Sequence, residues 1–139
     1  MFYKQFNNKI IVRLEKGEEL VKCLKTLCTT LDIRLGVIFG IGATDKVTVG
    51  LLNTKTKKYQ SQEFSGDHEI TCLMGNITQM NNEPYLHLHV TLANADQNAI
   101  GGHLSSAIIS ATFEGVIECI DGSVTRTYHE ESGLNLLTF

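Results

Sequence analysis

Three histidines carry the strongest chemical signal in this chain. His87 and His89 stand two apart in Tyr85-Leu86-His87-Leu88-His89-Val90-Thr91, and His103 follows in Gly101-Gly102-His103-Leu104. Apolar residues alternate strictly through the first segment, which is the period-2 pattern of a half-buried strand. Leu86, Leu88, Val90 and Leu92 then share one face, and Tyr85, His87, His89 and Thr91 share the other. At about 3.3 Å rise per residue the two histidine Cα atoms lie roughly 6.5–7 Å apart, near enough for both rings to lean onto one metal ion. A Gly-Gly turn carrying His103 would add a third nitrogen, because glycine lets backbones approach closely. Three neutral imidazoles with an open fourth position make the donor set of a reactive or ligand-binding zinc site. Structural zinc sites instead close with four ligands, often thiolates. The competing reading is a histidine pair on a solvated strand with no ligand, and the motif alone leaves both open.

The elements that must position these residues follow from the hydropathy pattern. Ile10–Leu14 reads as a strand, and Glu15-Lys16-Gly17-Glu18-Glu19 leads into a helix. Leu20, Leu24, Leu27, Cys28 and Leu31 recur at three- and four-residue steps, giving one buried stripe. Glu18 and Glu19 suit the positive end of the helix dipole, and Asp32 closes the helix. Ile33–Ile41 is apolar enough for a buried strand ending in Gly40-Ile41-Gly42-Ala43. Those glycines are not a dinucleotide loop, because no third glycine and no helix follow; a tight turn between strands is expected. Strands over 47–52, 59–64 and 69–77 come next, with Ser65-Gly66-Asp67 as a turn. In the last of them Ile70, Cys72 and Met74 are expected on one face, with Glu69, Thr71 and Leu73 on the other. Met80–Pro84 turns into the histidine strand, and Ala93–Asn98 turns out of it, with room for a short helical turn after His103. Ile108–Ile120 is a β-branched strand, and Asp121-Gly122 predicts a hairpin pairing it with Val124–Tyr128. The apolar tail Ser132–Phe139 is expected to dock on the body or on a neighbouring subunit. The sum is a strand-dominated α+β domain over residues 1–139, with one main helix and seven or eight strands.

Composition narrows the function. At 139 residues the chain fits one domain with a core that needs no staples. It carries twelve basic and fifteen acidic residues, a net charge of −3, which argues against the broad basic footprint of a free-standing DNA binder. Lys55, Lys57 and Lys58 cluster in one turn and read as a solvated tip. No apolar run approaches the roughly 20 residues of a membrane span. Met1-Phe2-Tyr3-Lys4-Gln5 does not open a signal peptide, so a cytoplasmic location is the expectation. Cys23, Cys28, Cys72 and Cys119 form no Cys-x-x-Cys pair and read as small buried hydrophobes in a reducing compartment.

Taken in order, these segments resemble the PPC (plants-and-prokaryotes conserved) domain in its free-standing prokaryotic form. The resemblance runs through Arg13-Leu14-Glu15-Lys16-Gly17-Glu18, Gly40-Ile41-Gly42-Ala43 and His68-Glu69-Ile70-Thr71-Cys72-Leu73-Met74-Gly75-Asn76-Ile77. It continues through Pro84-Tyr85-Leu86-His87-Leu88-His89, Gly101-Gly102-His103-Leu104, Thr112-Phe113-Glu114-Gly115-Val116 and Arg126. The resemblance implies a major antiparallel sheet, a homotrimer, and zinc held by His87, His89 and His103. It also implies the predicted DNA-binding role that the family carries. Plant relatives touch DNA largely through a separate AT-hook with an Arg-Gly-Arg-Pro core, and here the only proline is Pro84. The plant partner-binding segment Gly-Arg-Phe-Glu-Ile-Leu is matched only at Gly66, Glu69 and Ile70, with Asp67 in place of the basic residue.

The expected fold is also similar to that of acetolactate decarboxylase, a zinc enzyme with a His-x-His plus His site. That analogy makes a small zinc enzyme acting on a carbonyl or carboxylate metabolite the second reading, with a small-molecule ligand at the metal. Glu69 is then the candidate acid/base carboxylate, with Glu114 behind it. Against that role, a strand glutamate is commonly solvated or paired with an arginine such as Arg13 or Arg126. His68 and His129 have no partner that spacing can name.

Overall fold

A computed structural model describes all residues from Met1 to Phe139. Eight strands and one helix follow in the order β1 (Phe2–Phe6), β2 (Lys9–Glu15), α1 (Leu20–Thr30), β3 (Gly36–Asn53), β4 (Lys58–Met80), β5 (Glu83–Ala93), β6 (Ala99–Cys119), β7 (Thr125–His129) and β8 (Leu134–Thr138). They form one mixed sheet of order β1-β2-β6-β3-β4-β7-β8, in which β5 pairs with both β4 and β6. The four long strands therefore close a ring, β3-β4-β5-β6, and every pairing in it is antiparallel. No helix is long and apolar enough to cross a membrane.

The buried face of this sheet is built from the residues that alternation selects. Leu88, Val90 and Leu92 of β5, Ile10, Val12 and Leu14 of β2, and Ile117 and Phe113 of β6 are all buried. Leu20, Leu24, Leu27 and Cys28 of the predicted stripe of α1 join the same core, while Leu31 caps the helix and packs half-buried against it. Glu19 caps the helix by accepting from the backbone N–H of Val21 at 3.1 Å and of Lys22 at 2.7 Å. The same carboxylate accepts from the Ala107 N–H at 3.0 Å, which ties the helix start to β6.

Several expected turns are instead bends inside long strands. Gly40-Ile41-Gly42-Ala43 lies within β3, which joins the two expected strands 33–41 and 47–52 into one. A Cβ at residue 40 would stand 2.4 Å from the Phe113 ring, and one at residue 42 would stand 2.4 Å from the Thr112 carbonyl oxygen. The glycines make room for the largest core side chain rather than reversing the chain. Register shifts at 40/42 and 44/46 bend β3, and the buried Thr44 hydroxyl donates to the Ile108 carbonyl at 2.6 Å where the ladder is interrupted. Ser65-Gly66-Asp67 is likewise continuous strand within β4. A bulge between Ile70 and Cys72 flips the expected alternation, so that Ile70 and Leu73 are buried while Cys72 and Met74 are exposed. The expectation of four buried cysteines therefore fails at Cys72; Cys28 is buried, and Cys23 and Cys119 are half-buried.

The chain after Ile120 also differs from expectation. Asp121-Gly122 forms no hairpin with β6: β7 pairs antiparallel with β8 and touches β4 through the parallel pair Gln79↔Thr125. The C-terminal tail docks as β8, and the Lys55/Lys57/Lys58 cluster lies exposed at the β3–β4 tip, as expected.

Candidate metal centre

The three histidines meet at the seam where β5 joins β6. Burial of Leu88, Val90 and Leu92 fixes the rotation of β5, so His87 and His89 stand on the opposite face. His89 and His103 are direct cross-strand partners, which places both side chains on that face. The ring centroids lie 5.1, 5.3 and 5.6 Å apart. The His87 and His89 Nε2 atoms are 3.2 Å apart, and one nitrogen from each of the three rings lies within 4.8 Å of the others. Nitrogens on a tetrahedral zinc with ordinary bond lengths stand about 3.3 Å apart, which is the spacing of the His87–His89 pair, and the third ring lies near enough to join them.

The glycines around the site act as spacers. Gly101 and Gly102 lie within β6, and no helical turn follows His103; the expected Gly-Gly turn is continuous strand. A Cβ at residue 101 would stand 2.4 Å from the Val90 carbonyl oxygen. One at residue 75 would stand 2.1 Å from the His87 carbonyl oxygen. Close approach of β4 and β6 to β5 thus depends on these positions. At residue 50, which pairs with His103, a Cβ would fall 2.0 Å from the Tyr59 hydroxyl. The missing side chain lets Tyr59 lie against the site, with its ring edge-on to His103 at 6.3 Å and its hydroxyl 3.4 Å from Ser105 Oγ.

The surroundings favour the neutral form of His87 and His103. Burial first, then positive charge on His103, Arg126 and His89, pushes the His87 pKa below its ordinary value. Burial and His89 do the same to His103. Uncharged imidazole is the metal-binding form. A cleft of about 640 Å³, lined by Leu51, Gln60, Gln62 and Phe64, opens onto His89 and His103. Cys72 and Met74 share a smaller cavity with His89 on the other side.

Arg126 reaches the same face from β7 and is only 7% exposed. Its Nε donates to Thr78 Oγ1 at 2.8 Å, its Nη2 to Asn76 Oδ1 at 2.8 Å and its Nη1 to the Asn135 carbonyl at 2.7 Å. The guanidinium also stands 4.9 Å from the centre of the Tyr85 ring. Asn76 pairs with His87, and Thr78 pairs with Tyr85.

The carboxylates singled out from the sequence are not brought to the histidines. Glu69 and Glu114 line a separate cavity with Ile41 and Thr71. Glu69 pairs with Ala93, four residues past His89 and therefore about 13 Å along β5. Arg13 pairs with Glu15 at 3.1 Å, and none of the ion pairs involves Arg126. His68 Nδ1 lies 2.7 Å from the Gly66 carbonyl, and His129 Nδ1 lies 3.1 Å from Ser132 Oγ, both local contacts. The roles of Tyr59 and Asn76 beside the histidines carry no local signal in the sequence, since they depend on a cross-strand glycine and on register.

The model of the Plants and Prokaryotes Conserved (PCC) domain, the PPC domain of the resemblance above, matches residues 1–121. The chain belongs to this family. Among solved structures, this PCC protein is similar to a "putative DNA-binding protein" from Bacteroides thetaiotaomicron, with 41% identity and a TM-score of 0.97 over 99% of this chain and 96% of that one. It is also similar to a metal-containing protein from Archaeoglobus fulgidus, with 27% identity and a TM-score of 0.88 over 100% of this chain and 99% of that one. A plant- and prokaryote-conserved protein from Pyrococcus horikoshii shares 26% identity and a TM-score of 0.87 over 99% of this chain and 95% of that one. No curated protein matches. The β7–β8 hairpin that carries Arg126 lies beyond the residues matched by the family model.

Proposed function

We propose that this PCC protein is a homotrimeric zinc protein whose three-histidine site takes a small ligand in a binding or regulatory role. The observation that carries this reading is the convergence of one nitrogen each from His87, His89 and His103 within 4.8 Å. Likeness to a protein described as metal-containing supports it. His87, His89 and His103 would hold the ion, which supplies an electrophilic position open to a ligand when bound. The chain's own contribution is to favour neutral His87 and His103 and to offer the cleft beside them.

The homotrimer is supported by an apolar row on the exposed face. Ile11, Val116, Phe39, Met74, His89 and His103 are successive cross-strand neighbours. Phe39 is 44% exposed and Met74 61%. An antiparallel sheet facing water ordinarily presents polar residues there. A second copy of the chain is the occupant that the family resemblance supplies, and the row leads it to the histidines.

Elemental analysis of the untagged protein beside a His87→Ala/His103→Ala variant tests the metal. The expected result is near-stoichiometric zinc in the native protein and its loss in the variant. No uptake by the native protein after incubation with zinc overturns the reading.

Contact with DNA is a second reading, favoured by the description of the Bacteroides neighbour. A gel shift that weakens steeply as salt rises would support it, and no shift at low salt would sink it for this chain. The decarboxylase-like enzyme reading draws less support, because no carboxylate joins the histidine cluster.

A further inference from the structure

We infer that Arg126 makes the three-histidine site a receptor for small monocarboxylates, the negatively charged ligand completing a cation that the fold leaves without a counter-ion. The inference rests on the metal-site reading above and names the ligand class that the site selects. A buried charge is costly unless it is paired, and the residues around Arg126 supply only neutral acceptors: a hydroxyl, a side-chain amide and a backbone carbonyl. A guanidinium has five N–H donors, and these three bonds leave one on Nη1 and one on Nη2.

Direction places the charge toward the histidines. Nε bonds Thr78, which pairs with Tyr85, while Nη2 bonds Asn76, which pairs with His87. The fork therefore advances along the β4–β5 face from Tyr85 toward His87, and Nη2 is the leading atom. Stacking on Tyr85 and the bond to Asn135 fix that orientation. Asn135 Nδ2 in turn donates to the Tyr85 hydroxyl at 3.3 Å, so β8 braces both members of the stack. A guanidinium fork matches a carboxylate in shape as well as charge. One carboxylate oxygen can meet the fork while the other meets the ion, and this two-point contact, not charge balance, names the ligand class.

The test uses cobalt(II)-loaded native protein and follows the visible cobalt absorption during titration with acetate, and separately with the neutral ligand imidazole. Arg126→Gln removes the charge. Asn76→Asp instead supplies an internal carboxylate at the same bond and keeps the side-chain size, so it stands in if Arg126→Gln does not fold. In either variant the acetate half-saturation concentration is expected to rise by at least about tenfold, with imidazole binding and cobalt content unchanged. Acetate binding that is equal in native and variant proteins overturns the inference, as does a native spectrum that imidazole moves and acetate does not. Failure of the native protein to take up cobalt or zinc would sink the metal reading and this inference with it. Full metal uptake with indifference to Arg126 would sink this inference alone.

Discussion

In the proposed metal site His87 and His103 would bind an ion only while uncharged, and their surroundings favour that state. Both have pKa values below the ordinary 6.5, for the burial and like-charge reasons given above. In the metal-free protein the unfolded chain therefore takes up protons near pH 6.5 that the folded site still refuses. The stability contributed by these groups is complete above that pH and is lost as pH falls toward their folded values. Thermal midpoints of the metal-free protein should be flat above neutrality and should drop on acidification toward pH 5.5. The His87→Ala/His103→Ala variant should lose most of that slope; a native slope retained in the variant would show that other groups carry it. At this scale the sequence was informative: the His-x-His spacing on an alternating strand and the separate Gly-Gly-His gave the three residues that converge. It was silent on Tyr59, whose position is granted by a glycine nine residues away. It could not give the distance of Glu69 from His89, which depends on which residues of β4 and β5 pair.

At the scale of elements, the gaps between neighbouring strands set the site. A Cβ at residue 75 would press on the His87 carbonyl at 2.1 Å and on the Leu88 side chain at 2.8 Å. Gly75→Ala should therefore destabilise the fold by about 1–3 kcal/mol through overpacking. It should also weaken zinc binding, since β5 must move away from β4. Urea unfolding and zinc competition with a chromophoric chelator would check both, and unchanged values would show that β5 tolerates the shift. Helix α1 was legible from its apolar stripe and the acidic residues at its start, which are local signals, while the capping bonds of Glu19 and the helix end before Leu31 were not. The long strands were not. Glycine pairs in β3 and β6 mimic turn signals, yet they serve close packing against Phe113 and Val90. The bulge at Ile70/Cys72 breaks the period-2 rule that sequence reading assumes. Asp121-Gly122 looked like a hairpin because the local signal cannot show that β7 has a partner in β8.

At the scale of the whole molecule, the exposed sheet face is where the proposed trimer can be tested. Phe39 sits between Val116 and Met74 in the apolar row, far from the buried core face. Phe39→Glu should leave the monomer fold intact and disperse the trimer, since it places a charge in the centre of the covered surface. Sedimentation should give about three times 15.4 kDa for the native chain and the single mass for the variant. A native protein that sediments as a monomer would overturn the trimer. The β7–β8 hairpin has a different relation to the whole. It meets β4 through the backbone pair Gln79↔Thr125 and the Arg126 side chain, and β5 through Tyr85, against which Arg126 and Asn135 lie, while the three histidines stand outside the hairpin. The ligand-charge determinant and the metal-holding determinant are thus written in separable stretches of chain. Exchanging the last hairpin for one without the arginine should leave the three histidines in place and weaken carboxylate binding at least about tenfold, so this hairpin is where selection or design can change ligand preference without touching the metal-holding residues.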